Sequence, residues 1–160
     1  MDFDQATAIN QAIRLLALRH RARISELLAP LGLHSGQEAL LLALDKSGPL
    51  IQAQLSEVLS VEPPSVTLMT RKLEAAGYLR RTPTPHDKRA SVVDLTASGR
   101  ELVEQVKALW LELAEETVAG VAPEIVASLP GVLARLTFNV DTRRPPLAKD
   151  RRKPGLRAEP

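Results

Sequence analysis

Residues 73–100 read Leu73-Glu74-Ala75-Ala76-Gly77-Tyr78-Leu79-Arg80-Arg81-Thr82-Pro83-Thr84-Pro85-His86-Asp87-Lys88-Arg89-Ala90-Ser91-Val92-Val93-Asp94-Leu95-Thr96-Ala97-Ser98-Gly99-Arg100. Gly77 is a natural helix stop, because it reaches the left-handed backbone region without a side-chain clash. Beyond it the hydrophobic period changes, and Tyr78–Thr82 and Ser91–Leu95 read as two short strands. The connection from Pro83 to Arg89 is rich in turn residues. Its prolines cannot donate to a ladder, so the strands form a hairpin with a long exposed tip. Thr96 or Ser98 then caps a new helix.

Upstream, Glu62-Pro63-Pro64 opens the helix that Gly77 closes, since a proline in the first turn has no helical amide bond to lose. Val66, Met69, Leu73 and Ala76 form its inward stripe; Ser65, Leu68, Arg71 and Lys72 face outward, with Thr67 on the flank. A short helix over about 52–59 precedes it, with Ala53, Leu55, Val58 and Leu59 inward. Before that, Ser35 and Glu38 have the spacing of a capping box. That spacing predicts a buried helix from His34 or Ser35 through Ala39–Leu44 to Ser47-Gly48-Pro49. Residues 5–29 read as a long first helix, with Ile9, Ile13, Leu16, His20, Ile24 and Leu27 at steps of three or four. Leu15, Leu18 and Leu28 widen this stripe enough to suggest a second buried face, and Pro30 and Gly32 end it.

Downstream of the hairpin, Leu102, Val106, Leu109 and Leu113 predict a long fifth helix to about 119, with Trp110 beside the stripe as core or interface packing. Pro123 starts another helical segment. Pro130 is expected to divide it into helices at about 123–129 and 130–139, because an interior proline loses a backbone bond and clashes with the preceding turn. The fold class is therefore mainly α (α+β), a helix-turn-helix carrying a β-hairpin wing between long terminal helices.

Composition narrows the function. The chain has 160 residues, 44% hydrophobic and 25% charged, which suits one soluble domain of about 1–140 with an appendage. It has no cysteine, which removes disulfides, thiolate zinc sites and thiol redox sensing. The three histidines, His20, His34 and His86, lack metal-ligand spacing, so no metal or cofactor is expected. The longest apolar run, Ala39–Leu44, is too short for a membrane span, and the acidic start is unlike a signal peptide; both point to a cytoplasmic protein. No nucleophile elbow, phosphate-binding glycine loop, HExxH or paired acid–base set is present, which argues against an enzyme.

The net charge of +2 hides an uneven distribution. Residues 71–100 carry seven basic and three acidic side chains, as do residues 141–160, leaving −6 on the rest. Two basic islands on an acidic body suggest a polyanion touched at defined places. The second island is a proline-rich tail with little apolar content, read as disordered. In a winged helix-turn-helix the second helix enters the major groove and the wing reaches the neighbouring minor groove. The helix opening at Pro63 presents small polar residues and donors there and no carboxylate before Glu74, while Lys88 and Arg89 suit the negative potential of a narrow minor groove. Arg80 and Arg81 read first as strand-surface charges, with phosphate contact as the second reading.

Together, Leu50–Ser56, Val61–Thr67, Leu73–Arg81, His86-Asp87-Lys88-Arg89 and Val93–Arg100 resemble the MarR family of bacterial transcriptional regulators, over about residues 5–140. The resemblance implies a homodimer interleaving the first, fifth and last helices (about 5–29 and 97–139) around a winged module at about 34–96. It further implies double-stranded DNA as partner, an inverted-repeat operator, and repression relieved by a small organic ligand, often phenolic or anionic. By position, Pro64, Ser65, Thr67, Leu68, Arg71 and Lys72 would face DNA from the helix. Lys88 and Arg89 would face it from the wing, with Asp87 holding the Arg89 guanidinium in direction. His20, on the apolar stripe of the first helix, reads first as a hydrogen-bonded interface histidine and second as a candidate ligand contact. Leu68 stands where many members carry arginine, Ile51 where a capping Ser or Thr is usual, and Glu62 where Asp or Asn is. A winged module used for protein contact, or an activator, stays open at this point.

Overall fold

The structure is a computed structural model that describes residues 1–83 and 91–141. It forms two compact units, Met1–Ala119 and Gly120–Pro160. In the first unit, α1 (Phe3–Leu28) passes through a one-turn 3₁₀ segment, Ala29–Leu31, into α2 (Gln37–Ser47). There follow β1 (Leu50–Ile51), α3 (Gln52–Leu59), α4 (Pro63–Ala75), β2 (Leu79–Pro83), β3 (Ser91–Leu95) and α5 (Ala97–Val118). The strands form one antiparallel sheet in the order β1-β3-β2. Leu50 lies opposite Val93, and Leu79 opposite Leu95. The two-residue β1 was not legible as a strand; its residues are held by pairing with β3, a partner some forty positions away.

Local chemistry explains most boundaries. Asp2 caps α1, its carboxylate accepting the Gln5 amide at 2.8 Å, so the helix starts two residues earlier than periodicity suggests. Gly32, at φ 68°, ends the 3₁₀ turn. The expected capping box of Ser35 does not form. Gly36, at φ 101°, is the cap of α2, and Glu38 accepts the Gly36 amide at 2.6 Å while Gln37 accepts that of His34 at 2.8 Å. At α3, Ile51 offers no acceptor, but Gln54 takes the Ile51 amide at 3.0 Å, half of a capping box. Glu62 holds the cap position of α4 without a side-chain bond.

The core joins α2, α3, α4, the sheet and α5: Leu40, Leu41, Leu55, Val66, Leu73, Val93, Leu95, Val103 and Val106 are all buried. Each such aliphatic side chain contributes about 1.5–3 kcal/mol on burial. Thr70 is buried among them, its hydroxyl satisfied by donating to the Val66 carbonyl at 2.8 Å. Val58 and Ala53 of α3, expected inward, are exposed, because a helix of eight residues turns only the Leu55 side into the core. Ala76 is likewise exposed, one residue past the end of α4. On α1 the apolar stripe divides. Ile24 and Leu28 are buried, whereas Ile9, Ile13 and Leu16 stay 44–51% exposed.

In the second unit, α6 runs unbroken from Pro123 to Val140 with Pro130 inside it. Pro130 thus interrupts no more than one backbone bond. Its fixed φ is helical, and the flanking residues keep the helix going across the missing donor. None of its eighteen residues is buried, and Ile125, Val132, Leu133 and Leu136 are exposed.

Candidate nucleic-acid interface

The α3–α4 pair is closed by a tight turn in which Ser60 takes a left-handed conformation, φ 56°, and the Val61 amide donates to the Ser56 carbonyl at 3.1 Å. Ser56 also donates its hydroxyl to the Val61 carbonyl. This fixes where α4 starts, with Pro63 in the first turn. Burial of Val66, Thr70 and Leu73 then fixes its rotation. The opposite side presents Pro64, Ser65, Leu68, Arg71 and Lys72 to solvent, as the sequence suggests, with Leu68 57% exposed. Thr67 is half-buried, and its hydroxyl donates to the Pro63 carbonyl at 2.9 Å, leaving only its lone pairs and methyl for another partner.

Charge pairing sharpens this face. Arg81 on β2 donates to Glu74 at 2.7 Å, and the Glu74 carboxylate holds the Arg81 guanidinium above its ordinary range. The one carboxylate near the end of α4 is thereby neutralised. Arg80 is engaged by Asp94 directly across the β2–β3 ladder. Among the described residues, Arg71 and Lys72 have no ion-pair partner. Two strand arginines are thus committed internally, while the helix cations have no such partner among the described residues. Asp87, Lys88 and Arg89 of the wing lie outside the described residues, as does the basic tail beyond Asp141.

The wing is anchored to the helices by Thr96. Its hydroxyl donates to the Gly77 carbonyl at 2.7 Å and accepts the Gly99 amide at 3.0 Å, and its own amide donates to the Tyr78 carbonyl at 3.0 Å. The end of α4, the root of the wing and the start of α5 are therefore tied at one residue. Of the two caps considered, Thr96 is the one used.

His20 sits apart from this face. With Leu16, Arg19 and Arg23 of α1 and Leu113 and Glu116 of α5 it lines an open groove of about 220 Å³. Arg23 donates to both Glu116 carboxylate oxygens, at 2.7 and 2.8 Å, which raises the Arg23 pKa and lowers that of Glu116. Trp110 is 46% exposed, so it is not core. Among the described residues no three His, Asp or Glu side chains are grouped to hold a metal ion, and no single helix is long and apolar enough to cross a membrane.

Residues 33–91 match the model of the MarR family. The uncharacterized HTH-type transcriptional regulator YwoH of Bacillus subtilis is 35% identical over 111 residues, covering 69% of this chain and 77% of that protein. The chain belongs to the MarR family. It is a MarR-family transcriptional regulator with the winged helix fold. A mutant of the multiple antibiotic resistance protein MarR of Escherichia coli, solved in complex with operator DNA, is 27% identical, with a TM-score of 0.74 over 85% of this chain and 99% of that one. A MarR transcriptional regulator from Methanosarcina mazei is 25% identical, with a TM-score of 0.76 over 83% and 96%. In this MarR-family chain, the motif from Leu95 to Gly99 owes its spacing to the three bonds made by Thr96.

Proposed function

We propose that the chain is a homodimeric repressor that reads an inverted-repeat operator in double-stranded DNA through α4 and its wing, and that a small organic ligand, phenolic or anionic, releases it. One observation carries the DNA reading. The exposed side of α4 from Pro64 to Lys72 holds no carboxylate, keeps Arg71 and Lys72 without ion pairs among the described residues, and has Glu74 already occupied by Arg81. Small residues and free donors on such a helix fit the major groove. The operator complex of the related Escherichia coli protein supports the same partner. Arg89 and Lys88 are assigned to the adjacent minor groove, with Asp87 orienting Arg89. Leu68, apolar and exposed, suits contact with a thymine methyl.

Dimerisation is supported by apolar surface that each unit leaves uncovered: Ile9, Ile13 and Leu16 on α1, and Ile125, Val132, Leu133 and Leu136 on α6. Exposed apolar stripes of this kind are commonly partner surfaces. The groove at His20, with Arg19 beside it, is the candidate place for the effector. The deciding experiment is selection of duplexes from a random pool at about 150 mM salt, a physiological ionic strength. Enrichment of an inverted repeat with half-sites about one helical turn apart is expected. Retention without any sequence preference would refute operator reading.

A further inference from the structure

A recess of about 470 Å³ opens beside the start of α4. Its walls include Ser65 and Leu68, two of the residues assigned to DNA, together with Ser35, Gly36 and Met69. Its remaining notable side chain is Arg21, which belongs to α1, outside the winged module. Arg21 is exposed and, among the described residues, has no carboxylate partner. Arg23, two positions on, is held by Glu26, Glu112 and Glu116 instead.

We infer that Arg21 is a DNA-backbone contact, a phosphate clamp reaching the operator from the first helix. The inference rests on the DNA-binding reading of α4. A helix lying in the major groove is flanked by rows of phosphates, and a cation set beside its first turn meets the sugar-phosphate wall before any base edge. The planar guanidinium matches a phosphate oxyanion in two-point geometry. Ser35 and Ser65 place two further hydroxyl donors on the same recess. The Gly36 amide is not a fourth donor, since Glu38 already accepts it. Gly36 nevertheless shapes the recess, because a Cβ there would come within 3.2 Å of the Met69 sulfur. The same oxyanion chemistry would also receive a small free carboxylate, so the test separates the two sources.

The experiment measures binding of the full chain to its selected duplex between about 50 and 200 mM salt for the wild type, R21Q, R21K and R71A, with thermal melts of each. If each protomer loses one phosphate, R21Q should flatten the salt dependence by about 1 per protomer, so that its deficit against the wild type shrinks roughly tenfold across that range. The ranking of selected sequences should stay the same, and R21K should restore the slope. An unchanged slope in R21Q, while R71A binds more weakly, would overturn the clamp and leave the DNA reading of α4 standing. A changed sequence ranking would make Arg21 a base reader and overturn it as well. Stabilisation by benzoate that R21Q loses, with the duplex slope unaltered, would give the recess to a free anion. A wild-type protein that selects no duplex would remove both the DNA reading and the clamp.

Discussion

Gly99 lies directly against the backbone of Tyr78: a Cβ on Gly99 would stand 2.1 Å from the Tyr78 carbonyl oxygen. That oxygen also accepts the Thr96 amide, so it cannot move aside without breaking the junction of the wing with α5. Gly99→Ala is therefore expected to destabilise the chain by about 1–3 kcal/mol through backbone overpacking. The melting temperature should fall by roughly 2–12 °C, readable by circular dichroism. An unchanged melt would show that the α5 start can shift freely.

Glu38 is 6% exposed, and burial pushes its carboxyl above the ordinary value, against hydrogen bonds from its own amide and those of Gly36 and Ala39. A raised folded-state pKa means that its contribution to stability is present at low pH and is lost as pH rises through the folded value. Glu38→Gln keeps an acceptor for the Gly36 amide and removes the titration. The melting-temperature advantage of Glu38→Gln should be absent near pH 4.5, grow as pH rises above it, and level off. A constant difference from acid to neutral pH would show that the Glu38 charge is not what burial opposes.

The arginines near the DNA face should divide into two groups. Arg71→Ala and Arg89→Ala are expected to weaken duplex binding by about 1–3 kcal/mol each at matched salt. Replacing the pair together, Arg81→Ala with Glu74→Gln, should change it by less than about 0.5 kcal/mol, because Glu74 already holds that guanidinium and the pair carries no net charge. Equal losses in an electrophoretic or fluorescence titration would mean that Arg81 leaves Glu74 for a phosphate.

Ile13 is half exposed in the single chain. If α1 packs against a second copy, Ile13→Glu places a charge in that contact and should yield monomers by sedimentation. Loss of the paired half-site contact should then lower duplex affinity by about a hundredfold or more. A dimeric Ile13→Glu protein would move the interface away from this part of α1.

Much of the fold was readable because its signals are local. Pro63 and Gly77 bound α4, Thr96, one of the two cap candidates, starts α5, and Ser91–Leu95 is the strand that the change of hydrophobic period indicated. The outward set from Ser65 to Lys72 followed from helical period once the start was known, and Pro64 from the family resemblance. Pro130 shows the opposite case, where the local rule was right about the lost bond and wrong about the outcome, since one missing donor did not end α6.

By itself the sequence determined the order of the helices through α5 with the hairpin before it, and the non-acidic face of α4, all properties that act within about one helical turn. Tertiary structure alone decided which charges are paired. Arg81 lies next to Glu74 and Arg80 next to Asp94 only because two strands pair, and Arg23 reaches Glu116 across 93 positions. It also decided that β1 joins the sheet, that α1 keeps half its apolar stripe uncovered, and that Arg21 meets Ser65 at one recess. The physical reason is common to all of these: helix caps and turn glycines such as Gly77 respond to neighbours in sequence, whereas ion pairs, ladders, recesses and the close approach of Gly99 to Tyr78 are made by residues that only folding brings together.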